Sequence, residues 1–168
     1  MNTNVKTTAF TLCFVLVTAI SFVYLFMAIG LVPYWQTLSG TEIQTWFQEP
    51  FGRFGTLMGP VHILSIIATI TAYVMHRKET GVLRWLWLVA LITLLICQFF
   101  NFVIYGANFN PSLQSGTLEP DAALALFDWW DFWHIVRTIS VCISMVCLGI
   151  ISIISRMPDS ESSVERGI

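Results

Sequence analysis

Four long runs of apolar residues divide the chain, and they constrain its fold more than any other feature of the sequence. The first run, residues 9–32, carries no charged residue and is long enough to cross the roughly 30 Å hydrocarbon core of a bilayer as a helix. A cleaved signal peptide is the alternative for this run, but its apolar core would normally span only about 7 to 15 residues. The runs predict transmembrane helices at about residues 9–32, 55–75, 84–105 and 130–154.

Composition supports a membrane protein. Hydrophobic residues make up 56% of the chain and charged residues only 11%, whereas a soluble domain carries about 25% charged residues. We therefore predict an all-α integral membrane protein, an antiparallel bundle of four transmembrane helices in residues 1–155 whose first partner is the lipid bilayer. The polar segment 156–168 is predicted to be a disordered cytoplasmic tail. The sequence has no basic patch, so nucleic-acid binding is not expected.

The distribution of lysine and arginine predicts the orientation of the bundle. Of the residues in the connections and tails, only Arg53 falls on one side, and the others all fall on the opposite side: Lys6, Arg77, Lys78, Arg84, Arg156 and Arg166. The positive-inside rule then places both termini in the cytoplasm of a cell or inner membrane. Two long connections, about 34–54 and 106–127, would lie on the outer side. The first of these includes a short helix predicted at about residues 41–48.

The start of the fourth run carries polar residues that a lipid-facing helix would not tolerate. Asp131, His134 and Arg137 lie at positions i, i+3 and i+6, within about one third of the circumference of a helix. An arginine or aspartate at the centre of a membrane helix costs about 2.5 to 3.5 kcal/mol, so such residues usually face protein or water and have partners. We expect Arg137 to pair with Asp131 or Asp128.

Polar residues in the second and third runs are predicted to lie at the depth of this cluster. Each is about 6 to 10 Å from the outer end of its helix, at 1.5 Å per residue. Polar groups from three helices would then meet in the outer half of the bundle, with tryptophan rings as walls for a flat ligand. The predicted substrate-binding residues are His62, Gln98, Asn101, Asp131, Trp130 and Trp133.

Three kinds of chemistry fit this cluster. A metal site would use His62, His134 and Asp131, the two-histidine, one-carboxylate set of non-haem iron proteins, although no metal-binding motif supports it. Acid–base chemistry would use His134 to take a proton from an acidic carbon or a phenol while Arg137 and Asn101 hold the resulting oxyanion. The third alternative is a polar seam that only fixes the register of the helices. The sequence assigns no metal ligand and leaves the cofactor unknown.

A pair of glycines opens the second run. Gly55 and Gly59 are spaced by four residues, which places both on one face of a helix. Small residues at this spacing often allow two membrane helices to approach closely. We therefore interpret the pair as a helix-packing motif, although two glycines alone are a weak signal.

Two motifs in the last third of the chain resemble a known family. Asn110-Pro111-Ser112-Leu113 follows the third run, and Trp130-x-x-Trp133-His134-x-x-Arg137-Thr138 opens the fourth. Together they resemble the small four-helix membrane proteins related to anthrone oxygenases. The resemblance implies that Asn110, His134 and Arg137 are the catalytic residues. Members that act on anthrones oxidise them to anthraquinones with molecular oxygen and no obvious cofactor. Pro111 departs from the family pattern.

Two classes of function follow from these observations. The first is an anthrone oxygenase-like oxidoreductase, either cofactor-independent or metal-dependent, acting on a small apolar aromatic substrate that arrives from the membrane. The second is a non-catalytic membrane protein, either a binding module or a subunit of a larger membrane assembly, for which a homo-oligomer or another membrane protein would be the partner. A transporter or channel is a third and weaker hypothesis, and the sequence does not choose among them.

Overall fold

The computed structural model describes residues 3–155, and within that range the chain forms four long helices and no strand. Each helix is long and apolar enough to cross a membrane. The predicted all-α four-helix membrane bundle is therefore confirmed. The tail predicted at residues 156–168 lies outside the described residues. We label the helices α1 (Asn4–Trp35), α2 (Gly40–His76), α3 (Gly81–Gln114) and α4 (Pro120–Ile154).

The bundle is apolar on the outside, as the membrane prediction requires. Large apolar side chains on its surface remain exposed, among them Ile29 (75% exposed), Leu57 (73%) and Phe22 (64%). Inside, α3 packs most extensively on α4, and α1 packs on both α2 and α4. Short connections join the helices, so neighbours along the chain run antiparallel. The exposed apolar surface is the part of the protein suited to contact with the lipid bilayer.

The helices extend well past the apolar runs from which they were predicted. The connections expected at about 34–54 and 106–127 are almost entirely helical, because strong helix starts lie inside them. Ser39 and Glu42 form a capping box at the start of α2, and Pro120 occupies the first turn of α4. The 35 residues of α4 span about 52 Å, which exceeds the roughly 30 Å hydrocarbon core. The helix is therefore longer than the hydrocarbon core is thick.

The end of the bundle that carries the α1–α2 and α3–α4 connections is held together by close contacts between helices. A Cβ atom on Gly40 would collide with the backbone of Pro120, so α2 and α4 approach closely there. Gln44 donates from Nε2 to the Leu118 carbonyl (2.9 Å) and accepts from the Leu118 amide (3.0 Å). These bonds hold the connection between α3 and α4 against α2. A buried aromatic cluster lies beneath, centred on Trp35, whose ring contacts those of Trp46, Phe47, Phe51, Phe127 and Trp130.

Three of the four helices contain a wider, π-helical segment at this same end. The segments are Met27–Leu31 in α1, Phe47–Phe51 in α2 and Phe100–Phe109 in α3. A π-helical turn inside an α-helix is rare and is frequently found at functional sites, because it changes the direction of side chains relative to the regular helix. The ten-residue segment of α3 carries Asn101 and Tyr105, which both face α4.

Candidate functional site

Side chains from all four helices meet in one hydrogen-bonded cluster. The Tyr24 hydroxyl lies 3.1 Å from Nε2 of His62 and donates to Oδ1 of Asn101 at 3.1 Å. Arg137 donates from Nη1 to the same Asn101 oxygen (3.3 Å) and from Nε to Nδ1 of His134 (3.0 Å). Tyr24, His62, His134 and Arg137 are each at most 3% exposed. The cluster is therefore a buried network that links all four helices.

Arg137 is held by aromatic rings and neutral groups. Its guanidinium carbon lies 3.8 Å from the centre of the Tyr105 ring, 4.6 Å from that of Tyr24 and 5.2 Å from that of Trp130. Each of these rings presents its negative face to a cation, an interaction that strengthens when water is excluded. A guanidinium cannot be deprotonated in a protein, so this buried group keeps its positive charge.

The carboxylate partner predicted for Arg137 is wrong. Within residues 3–155 no ion pair involves Arg137. Asp131 instead accepts a hydrogen bond from Nε2 of Gln36 (2.8 Å), and Asp128 is exposed. The reason is helical geometry: six residues turn a helix by about 600°, which leaves Asp131 roughly 120° around α4 from Arg137. The site therefore carries a buried positive charge with no neighbouring negative side chain in the described chain.

The hydrogen bond from Arg137 fixes the state of His134. Because Nε of the guanidinium always carries hydrogen, Nδ1 of His134 must be the acceptor, and the hydrogen of the neutral imidazole lies on Nε2. The His134 ring stacks on Trp130, with centroids 5.1 Å apart, and its Nε2 is buried without a hydrogen-bond partner. The lone pair that could take a proton is thus already occupied by Arg137.

His62 is arranged differently. Its Nε2 faces the Tyr24 hydroxyl, while Nδ1 is buried without a hydrogen-bond partner. Gln98 lies beside the His62 ring, and its Oε1 is also buried and unpaired. Its amide nitrogen donates to Oγ of Ser65 (3.4 Å), and Ser65 donates to the His62 carbonyl (2.7 Å). The Tyr24 hydroxyl has a single hydrogen, so while it donates to Asn101, Nε2 of His62 is the donor to the Tyr24 oxygen. If the hydrogen of the imidazole lies on Nδ1 instead, Nε2 of His62 can accept the phenolic hydrogen.

A cavity of about 180 Å³ lies against this cluster. Its polar lining residues are Arg137, His62, Tyr24, Asn101 and Asn110, and the others are apolar residues or glycines. It is smaller than the roughly 300 to 1,000 Å³ of pockets that enclose drug-sized ligands. The lining residues are Tyr24, Met27, Phe51, Phe54, Gly55, Met58, Gly59, His62, Asn101, Phe102, Gly106, Asn110 and Arg137.

The structure sorts the residues predicted from sequence into three groups. His62, Asn101, Asn110 and Arg137 line the cavity. Three others support them from behind: His134 contacts Arg137, Gln98 lies beside His62, and Trp130 donates from Nε1 to Oδ1 of Asn110 at 3.1 Å. Two lie elsewhere. These are Asp131, bonded to Gln36, and Trp133, stacked on Phe100 with centroids 4.9 Å apart.

Sequence reasoning missed two tyrosines. Tyr24 joins His62 to Asn101, and Tyr105 lies under the Arg137 guanidinium while donating to the Trp130 carbonyl at 2.7 Å. A signal was present for Tyr24. It is the only tyrosine in an otherwise uncharged apolar run, and a phenol hydroxyl at membrane depth needs a partner. The signal for Tyr105 was weaker, because it lies at the end of its run, where tyrosine commonly marks the membrane interface.

The predicted alternative of a two-histidine, one-carboxylate metal site does not fit the donor set. Among residues 3–155 no group of three histidine, cysteine, aspartate or glutamate side chains is close enough to hold one ion. Asp131, which that alternative required, faces Gln36. Nδ1 of His134 is engaged by Arg137. The donors that surround the cavity are instead N–H and O–H groups, which suit an oxygen-bearing organic ligand.

The fold and the cluster together define a four-helix membrane protein with a buried cationic site. A family model described as Anthrone oxygenase matches residues 47–147, which is more than half of the 168-residue chain. The chain therefore belongs to the anthrone oxygenase family, as its two motifs suggested. Comparisons with curated proteins and with solved structures each found no match. Tyr24 and Met27 lie outside the matched segment, whereas the other lining residues of the cavity lie within it.

Proposed function

We propose that this protein is an oxidoreductase of the anthrone oxygenase type, which oxidises a small aromatic substrate with an acidic C–H group beside a carbonyl. One observation carries the proposal: Arg137, 3% exposed and unpaired with any described carboxylate, lines a cavity. Holding a charge at this depth is expensive. The cost is offset if the substrate becomes an anion there, because a preorganised cation then stabilises it where water is excluded.

Arg137 and Asn110 would hold the substrate oxygen. A guanidinium has five N–H donors, and Arg137 gives one each to His134 and Asn101, so others remain for a ligand. Asn110 receives the Trp130 indole hydrogen on Oδ1, which leaves its amide hydrogens for the same oxygen. In this proposal His134 is a positioning residue: it does not line the cavity, and it fixes the direction of the guanidinium.

Tyr24 and His62 would move the proton. Both line the cavity, and the phenol oxygen lies 3.1 Å from Nε2 of the imidazole. In the His62 tautomer that carries hydrogen on Nδ1, the Tyr24 hydroxyl turns from Asn101 to Nε2 of His62. The Tyr24 oxygen then takes the proton from the substrate carbon while its own hydrogen passes to Nε2, so the pair acts as one base. Gln98 then faces the hydrogen on Nδ1 of the imidazolium. The negative charge left on the substrate spreads onto the oxygen that Arg137 holds.

The reaction balances with molecular oxygen as the only co-reactant. One anthrone loses a proton from its methylene carbon, and the resulting carbanion transfers electrons to oxygen and forms a carbon–oxygen bond. Protonation gives a hydroperoxide at that carbon. Loss of water from the hydroperoxide, with removal of the second C–H proton, gives the anthraquinone. One anthrone and one oxygen molecule therefore yield one anthraquinone and one water.

The test is anthrone turnover by the purified protein in lipid nanodiscs, followed by anthraquinone absorbance and oxygen consumption. We expect Arg137→Met to lower kcat/KM by about 10² to 10³, the loss found when a single preorganised donor is removed. Arg53→Met is the matched control, because Arg53 is exposed and does not line the cavity. Equal rates in wild type and Arg137→Met, or no turnover by wild type, would reject the oxidoreductase proposal.

A binding module without catalysis would use the same cavity, and the same experiment separates it. Such a protein would bind anionic aromatic ligands through Arg137 and consume no oxygen. A role as a subunit would show as co-purification with a membrane partner under mild detergent, and self-association as a mass above 19.0 kDa in native mass spectrometry.

The arrangement in the membrane completes the proposal. We propose that residues 1–155 form the membrane domain with both termini in the cytoplasm, because Lys6, Arg77, Lys78 and Arg84 gather at one end. The cavity would then lie in the outer half of the bundle. Reporter fusions to each terminus test this: a cytoplasmic fluorescent protein should fold at both ends, and alkaline phosphatase should be inactive at both.

A further inference from the structure

Within residues 3–155, the glycine pair of α2 does not pack against another helix of the bundle. A Cβ atom built on Gly55 or on Gly59 would meet nothing within 4 Å outside its own helix backbone and chain neighbours. The interpretation as a helix-packing motif is therefore wrong for the helices of this bundle, since a close approach would place a neighbouring backbone within that distance. Glycine also weakens a helix interior relative to alanine. These two positions thus carry a cost that helix packing does not explain.

Both glycines border the cavity that holds Arg137. Gly106 of α3 borders it as well, and Gly55 and Gly106 are exposed on the surface of the bundle. We call the space between α2 and α3 that is lined by Gly55, Gly59 and Gly106 the glycine gap. The π-helical segment Phe100–Phe109 packs on α4 and makes few backbone contacts with the facing part of α2. The glycine gap therefore leads from the surface of the bundle to the polar cluster.

A second observation points to a ligand at the inner end of the gap. His62 is 2% exposed and lines the cavity, although its unpaired Nδ1 lies toward Gln98 and not toward the cavity. Arg137 lines the same cavity with its charge unpaired by a described carboxylate. The surface at the gap is apolar, because Phe102 lines the cavity and is itself 41% exposed. An apolar molecule dissolved in the bilayer would reach the gap without crossing water.

The volume of the cavity limits how much of a fused-ring ligand it can enclose, and the rest of the ligand must lie in the glycine gap. At about 180 Å³ the cavity is below the roughly 300 to 1,000 Å³ that encloses drug-sized ligands. A single oxygen-bearing ring fits beside Arg137, and further fused rings must extend toward the lipid. Flat rings can pass between two helices only where side chains are missing, which is the condition at Gly55 and Gly59.

We propose that the glycine gap is the route by which the substrate arrives from the membrane and the groove in which its outer rings lie. Gly55 and Gly59 then determine specificity, because they admit fused-ring aromatics that larger residues would exclude. This inference rests on the proposed function for the identity of the substrate, but its geometry can be tested by binding alone.

The experiment uses the full chain in lipid nanodiscs and two probes that need no turnover. 9-Anthracenecarboxylate presents a carboxylate to Arg137 and three fused rings to the gap, and its fluorescence reports binding. Benzoate carries the same anion on one ring, and its binding is measured by competition. We expect Gly59→Leu and Gly55→Leu to raise the Kd of 9-anthracenecarboxylate at least tenfold and to change that of benzoate less than twofold.

Gly149→Leu is the matched control, because Gly149 also has nothing within 4 Å of a built Cβ and lies far along α4 from the cavity. It should leave both Kd values unchanged. Unchanged binding of 9-anthracenecarboxylate in both gap variants would overturn the proposal, as would equal loss of both probes or failure of wild type to bind 9-anthracenecarboxylate. If wild type binds both probes and oxidises no anthrone, the proposed reaction fails while the gap stands.

Discussion

The two halves of the bundle satisfy their buried polar groups in different ways. In the half nearer the termini, most of these groups are hydroxyls and a thiol with close partners, and the exceptions among the described residues are Oγ1 of Thr18 and Nε2 of His76. Ser144 donates to the Ala90 carbonyl (2.8 Å), and Cys13 lies 3.2 Å from the hydroxyl of Thr69. Each bond joins two helices and involves neutral atoms only. Such bonds act as packing contacts, worth about 0.6 kcal/mol on average between membrane helices.

The half that contains the cavity buries larger polar groups, and several of their atoms have no hydrogen-bond partner. It buries a guanidinium, two imidazoles and an amide, and it leaves nitrogens of His62 and His134 and the oxygen of Gln98 without partners. Buried groups of this kind cost free energy when unpaired. Packing alone would be served better by serine and threonine, as the other half demonstrates. The excess of polar groups in the cavity half is therefore best understood as a requirement of ligand binding.

In the cavity half, the largest effect on turnover that we expect from deleting a single atom is that of Tyr24→Phe. This change removes the oxygen that joins His62 to Asn101 and keeps the ring that lies against Arg137. If Tyr24 and His62 act as the base, kcat for anthrone should fall about 10³-fold, within the range for general acid–base catalysis. The Kd of 9-anthracenecarboxylate should stay within about twofold. A kcat within tenfold of wild type would contradict a role for Tyr24 in proton transfer.

The next largest effect is expected from two substitutions at His134. They show whether His134 acts as a catalytic base or as a positioning residue. His134→Asn keeps an acceptor near the place of Nδ1, so Arg137 retains its direction, whereas His134→Phe removes the acceptor. We expect the phenylalanine variant to raise KM and to lower kcat/KM about 10- to 100-fold, a range typical of a misplaced binding group. The asparagine variant should recover most of this loss.

The two hypotheses for His134 predict opposite results for the asparagine variant. Asparagine cannot accept a proton at neutral pH, so a catalytic base at this position would leave both variants equally inactive. The kcat and KM of wild type and both variants, measured side by side, decide the question. Unfolding midpoints measured in the same nanodiscs show whether either variant has lost its fold.

The sequence predicted the number of helices and much of the site, for reasons that lie in single residues. Apolar runs report membrane depth directly, so the four helices and the layer shared by His62, Asn101 and Arg137 could be placed. Helix ends could not, because the start of α4 at Pro120 depends on capping and not on hydropathy. The helices of the cavity half are therefore longer than the apolar runs indicate.

The partners of Arg137 were harder to predict for a different reason. Proximity along α4 suggested Asp131, yet the guanidinium turns to aromatic faces and to Asn101. A π-helical segment in α3 brings Asn101 and Tyr105 to α4, and hydropathy carries no signal for such a segment. Tyr24 was missed because its hydroxyl is uncharged and lies in an otherwise apolar run.

The smallest effect tests the contrast between the halves with the same chemical change in each. Ser65→Ala and Ser144→Ala both delete a buried hydroxyl that donates to a carbonyl, at 2.7 Å and 2.8 Å. Each should lower the free energy of unfolding by about 0.6 kcal/mol. Only Ser65 also accepts from Gln98, which lies beside His62. We therefore expect Ser65→Ala alone to lower kcat, by about threefold, as the loss of one weak supporting bond would do. Equal turnover in the two variants would mean that Gln98 and Ser65 only hold helices together, as the buried hydroxyls of the other half do.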